Sequence, residues 1–188
     1  MLKHNYTDQS LEKISLGFSL IELLFAVTVL SILTGFTLTF YQTSLLETRL
    51  TTLIDRFQAV LYSAQSEAIY RHTPVTLCKS QDGLHCGGTS QSGWLLFLNR
   101  YTDHPHSAQR LRVYPHFDPS ERILWRGAGG RDYLTFQADG SARGYNGRFI
   151  LCVKVLTKTR GRLIKISPTG RIRSEILADQ QACVHEIK

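Results

Sequence analysis

Between residues 18 and 41 apolar side chains follow one another with a single charge, Glu22, and the wider stretch from Ile14 to Thr48 holds no lysine or arginine. A run of that length suits a bilayer span, which takes about 20 residues. Beyond it the apolar positions settle into helical spacing: Leu46, Leu50, Leu53, Phe57, Leu61, Ala64 and Ala68. Glu47, Arg49, Asp55, Arg56 and Glu67 fall mostly off that stripe. The pattern predicts one long helix, with a membrane half over 18–41 and an amphipathic half over 42–72. The helix should stop before Pro74, because the residue ahead of a proline avoids the helical region.

After Pro74 the texture changes to short β-type runs bounded by Gly, Ser and Asp: "PVTLCKS", "GWLLFLNR", "RILWRG", "DYLTFQADG", "RFILCVKVL" and "LIKISPTGRIR". Asp139-Gly140 and Asn146-Gly147 are hairpin-type dipeptides. In "LIKIS" the strand period of two sets Leu163 and Lys165 opposite Ile164 and Ile166, so that strand carries a basic residue on one face. Residues 99–119, with three prolines and three histidines, read as a long exposed loop. The predicted fold class is α+β: a long N-terminal helix packed on an antiparallel sheet, with a globular β-rich part over 73–188.

Four cysteines fall into two sequence-local groups, Cys78 with Cys86 and Cys152 with Cys183. Four cysteines allow three connectivities; local pairing would close a short Gly-rich loop and pin the C-terminal tail. Their spacing lacks the paired C-x2-C of structural zinc sites, so no metal is expected. G-x-S-x-G, the phosphate-binding loop and H-E-x-x-H are absent, and "GAGGRD" lacks the third glycine of a dinucleotide loop. Neither enzymatic activity nor a cofactor is expected.

The formal net charge is +7, which admits an acidic partner without specifying one. The charge is segregated. Arg143, Arg148, Lys154, Lys158, Arg160, Arg162, Lys165, Arg171 and Arg173 follow one another with no Asp or Glu between them. Several sit at turns, where a guanidinium fork reaches phosphate oxygens without distorting a sheet. Charge alone leaves two readings level: a solvated face, or a polyanion site.

Gly17 followed by "FSLIELL" resembles the class III leader of type IV prepilins and type II secretion pseudopilins. The resemblance implies a leader over 1–17 cleaved after Gly17 by a prepilin peptidase, and N-methylation of Phe18. It also implies a bacterial inner-membrane helix with a cytoplasmic N-terminus, and later export into a filament of other pilins in the periplasm or outside the cell. Glu22 becomes the fifth mature residue, whose charge is tolerable in hydrocarbon because a neighbouring subunit brings its N-terminal amine. The leader is longer than most and nearly neutral, with Lys3 and Lys13 against Asp8 and Glu12.

Downstream, "GWLLFLNR", "LTFQADGSA" and "LIKISPTGRIRS" resemble the minor pilins and pseudopilins of the FimT/GspH type. Gly170-Arg171-Ile172-Arg173 is similar to the GRxR pattern of FimT-type minor pilins, which bind DNA in natural transformation. Residue by residue, the resemblance makes Gly170, Arg171 and Arg173 the first candidates for binding double-stranded DNA. Lys158, Arg160, Arg162 and Lys165 support them on charge and position, and Arg143 and Arg148 follow. The alternative it leaves is a GspH-type pseudopilin of a type II secretion system, or a minor pilin with a purely structural role.

Overall fold

The computed structural model describes residues 19–99, 110–115 and 118–186, without the side chains of 35–39 and 185–186. Two compact units emerge, Met1–Phe40 and Tyr41–Lys188. The first helix, α1, covers Leu20–Arg71.

In the first unit Glu22 lies in the opening turn of α1, where a carboxylate suits the helix's positive end. Large apolar side chains from Leu20 to Leu33 are exposed. Ser31 and Thr34 donate their hydroxyls to carbonyls one turn back, which hides polar groups on an otherwise apolar helix. Among the described residues no helix is long and apolar enough to cross a membrane. Gly17 and Phe18 lie outside the described residues.

In the second unit α1 presents its apolar stripe to the core. Leu46, Leu50, Leu53, Phe57, Leu61, Ala64 and Ala68 are all buried. The helix ends with His72 in the left-handed region (φ 48°). His72 donates its amide to Ile69 and Thr73 donates to Ala68, the double closure that satisfies the last carbonyls of a helix. Pro74 follows, and the chain turns into strands.

These strands are β1 (Val75–Ser80), β2 (Gly93–Leu98), β3 (Arg110–Tyr114), β4 (Glu121–Gly127), β5 (Tyr133–Phe136), β6 (Gly147–Val155), β7 (Lys158–Ile166) and β8 (Ile172–Ile176); a short helix, α2 (Gln181–Glu186), follows. They form two antiparallel sheets, ordered β3-β2-β1-β5 and β4-β6-β7-β8. The fold is α+β, with α1 packed on antiparallel sheets. One apolar core joins the α1 stripe to both sheets, and Phe149 stands at its centre, 4.7 Å from Phe57 and 4.3 Å from Trp125.

Two local expectations change. The loop foreseen over 99–119 contains β3, an edge strand whose alternating arginines, Arg110 and Arg112, hid its period. Neither Asp139-Gly140 nor Asn146-Gly147 makes a hairpin: both fall where the chain passes from β5 to β6, which belong to different sheets, and the β6–β7 hairpin turns instead at Leu156-Thr157. Both disulfides form in the local pairing, Cys78–Cys86 and Cys152–Cys183.

Candidate nucleic-acid interface

The pleat of the β4-β6-β7-β8 sheet sorts its charges. Phe149, Leu151, Val153, Ile164 and Ile166 face the core. Strand residues one position away therefore point outward. On that outer face the register places Arg126 opposite Arg148, Arg148 opposite Lys165, and Lys165 opposite Arg173. Four cations thus stand in one row across four neighbouring strands, all exposed. Three interstrand steps of about 4.8 Å carry the row across about 14 Å at the backbone.

Like charges directly opposite each other destabilise a sheet, so the row works against stability. Among the described residues none of the four has an ion pair with a carboxylate. The nearest acid on this face is Glu175, opposite Leu163 in the next row. A cavity of ≈ 590 Å³ opens beside the row, lined by Arg126, Asn146, Arg148, Lys165, Ser167 and Glu175 among others.

Arg171 stands one row over, against Ser167 and on the side away from Glu175. It is exposed, two positions before Arg173, and its carbonyl accepts from the Ser167 amide at 3.0 Å. The turn that carries it is held from α1: Gln65 Nε2 donates to the carbonyls of both Gly140 and Gly170, at 2.8 and 3.0 Å. Gly170 is buried, with φ 82°. A Cβ there would stand 2.0 Å from the Gly140 carbonyl oxygen, so this glycine serves the turn and leaves contact with a ligand to its neighbours. Gln65 carried no signal in the sequence beyond helical spacing.

The remaining candidates lie elsewhere. Lys158, Arg160 and Arg162 share the core-side face of β7 with Ile164. Lys158 Nζ donates to Thr43 Oγ1 at 3.2 Å and Arg160 pairs with Glu47 at 3.2 Å, both on α1. Arg162 is half-buried opposite Ile176. Arg143 pairs with Asp139; hydrogen bonds from Ser141, aided by Arg143, hold that carboxyl below its usual range. Four of the nine candidates, Arg148, Lys165, Arg171 and Arg173, are therefore brought together, and Arg126 joins them. Arg126 lies outside the uninterrupted basic segment, and only the strand register reveals it.

The adjoining row of the outer face is closed. Leu124, Ile150 and Leu163 pack under Leu177 and the Cys152–Cys183 bridge. Gln180 accepts from the Gly161 amide at 2.9 Å. Arg122, on the same face, is half-buried and donates to the Pro119 and Glu121 carbonyls. Phe149 is core, and Tyr145 is engaged by Tyr133 and by Arg131 at 5.0 Å, so no free aromatic platform flanks the row among the described residues.

The family model described as "Type II transport protein GspH" matches residues 53–170. The chain belongs to the GspH family. That match begins on the buried stripe of α1 and stops at Gly170, so Arg171, Arg173 and the disulfide-held tail lie beyond the GspH-matched span. Among solved structures, the chain is similar to the type IV minor pilin FimU of Pseudomonas aeruginosa strain PAO1. In one crystal form the identity is 23%, covering 69% of this chain and 90% of that one, with a TM-score of 0.52. A second crystal form gives 23%, 67%, 92% and 0.49. This likeness is one of fold. No curated protein sequence matches the chain.

Proposed function

We propose that this GspH-family chain is a minor type IV pilin that captures extracellular double-stranded DNA for uptake in natural transformation. The observation that carries the reading is the row Arg126–Arg148–Lys165–Arg173, four exposed cations set directly opposite one another. Such a row costs stability and gains a purpose when a polyanion lies across it. Contacts to phosphates are independent of base sequence and release counterions, so affinity falls steeply with salt.

In the same reading a prepilin peptidase cleaves after Gly17, Phe18 becomes the methylated N-terminus, and residues 18–41 anchor the chain in the inner membrane until it joins other pilins. Glu22 pairs with the N-terminal amine of a neighbouring subunit. Glu22→Ala then blocks incorporation into pili while the chain still enters the membrane.

The test is a titration of labelled duplex DNA into the full chain in detergent micelles, across a salt series, with Arg171→Gln/Arg173→Gln beside the wild type. Salt-sensitive binding by the wild type, lost in the double variant at an unchanged melting temperature, supports the reading. Absence of wild-type binding at low salt rejects it. A double variant that unfolds assigns those arginines to structure. The second reading, a pseudopilin subunit of a type II secretion system with no DNA ligand, draws on the GspH-matched span, which excludes Arg171 and Arg173.

A further inference from the structure

The dimensions of the row carry more than a generic attraction to phosphate. Its cations alternate with nothing: each neighbouring strand of the sheet contributes one, at the same level. The central pair, Arg148 and Lys165, is one interstrand step apart, about 4.8 Å, and the outer pair, Arg126 and Arg173, about 14 Å apart at the backbone. The minor groove of B-DNA opens about 6 Å; with the phosphates' own width added, the groups on its two lips stand about 12 Å apart. The major groove opens about 12 Å, which sets its lips about 18 Å apart. The outer pair's spacing lies nearer the first value than the second, and the central pair fits between the lips.

The surroundings of the row point the same way. The disulfide-held tail covers the neighbouring apolar patch, and Glu175 stands one row away. A duplex lying along the strands would meet that acid and that cover. One whose groove is straddled by the row sets a phosphate of each backbone on an end cation.

Resting on the capture reading above, we infer that one copy of this chain straddles the minor groove of duplex DNA, with Arg126 and Arg173 on phosphates of opposite backbones and Arg148 and Lys165 over the groove between them. Arg171 adds a phosphate contact beside Arg173. Base identity is not read, but groove shape is. A narrow A·T-rich minor groove concentrates negative potential and attracts arginine and lysine, so such duplexes bind several-fold more tightly than G·C duplexes of equal length.

The experiment uses the full chain in detergent micelles and two 24-base-pair duplexes, one A·T-rich and one G·C-rich, with netropsin as minor-groove competitor and methyl green as major-groove competitor. Netropsin should displace the protein from the A·T duplex and methyl green should not. Each phosphate contact contributes about 0.9 to the log–log salt slope, so Arg126→Gln and Arg173→Gln should each lower it by about that much. Lys154→Gln is the control: the same strand and face as Arg148, but about 20 Å along it, and the slope should stay the same. Displacement by methyl green instead, displacement by neither ligand, equal affinity for the two duplexes, or an unchanged slope in Arg126→Gln overturns the straddling geometry while capture stands. A wild type that binds neither duplex removes the capture reading itself.

Discussion

The two faces of the β4-β6-β7-β8 sheet carry cations of the same kind and treat them in opposite ways. On the core side, charges meet partners on α1: Arg160 has Glu47 and Glu121 has Arg56 at 4.0 Å. On the outer side, Arg126, Arg148, Lys165 and Arg173 meet one another. β7 alone supplies both classes, with Lys158 and Arg160 on one face and Lys165 on the other. The core-side charges join sheet to helix, and their partners are already in the fold. In the capture reading proposed above, the outer row meets a partner the fold does not contain.

Four substitutions test this contrast, in descending order of effect. Gly170→Ala should break the turn that presents Arg171, because its φ is 82° and its Cβ would strike the Gly140 carbonyl. A loss of about 2–4 kcal/mol is expected in chemical denaturation, as for other substitutions that force a strained left-handed position. A stability within about 0.5 kcal/mol of wild type would mean that the turn relaxes freely.

Glu121→Gln probes the core side. Burial holds this carboxyl above its ordinary range, against the pull of Arg56. The folded state therefore prefers the neutral acid. Its contribution is fully present below the unfolded pKa and is lost as pH rises through the folded one. The variant should melt higher than wild type at pH 7 and show no advantage near pH 3. An advantage that persists at pH 3 would point to packing, with the charge irrelevant.

Arg148→Gln probes the outer row. It should weaken duplex binding several-fold and, by relieving two like-charged neighbours, stabilise the free protein by about 0.2–1 kcal/mol. Opposite signs in the two assays are the signature of a site maintained against stability; a destabilised variant would make Arg148 structural. Arg160→Gln is the smallest. Both partners of its ion pair are well exposed, so the loss is at most about 1 kcal/mol, and the salt slope of DNA binding should not move. A lowered slope would bring the core-side cations into the interface.

Much of the architecture was readable from periodicity. The stripe from Leu46 to Ala68 stood out because helical spacing survives whatever the helix packs against, and Pro74 marked its end. The strands at "GWLLFLNR" and "RFILCVKVL" stood out because burial on both sides leaves unbroken apolar runs. β3 was hidden because an edge strand carries Arg110 and Arg112 where a core strand carries valine. The candidate row was half legible. Counting charge along the chain gathered Arg143 through Arg173 into one group, yet adjacency in sequence ignores the pleat. Lys158, Arg160 and Arg162 count with Lys165 in the sequence and face away from it in the sheet. Arg126 joins the row through strand pairing, a relation that no local window contains. Gln65, whose two hydrogen bonds hold the turn, belongs to the same class.

The bridge from Cys152 to Cys183 has a consequence for how the domain matures. Its two sulfurs are separated by 31 residues of chain, and Gly161 lies so close that any Cβ would strike Cys183. Until the second cysteine has emerged and been oxidised, Leu124, Ile150 and Leu163 lack their cover. A nascent or reduced molecule therefore shows chaperones and proteases a greasy window beside its arginines, and oxidation draws the shutter. Closing this bridge thus acts as an inspection step.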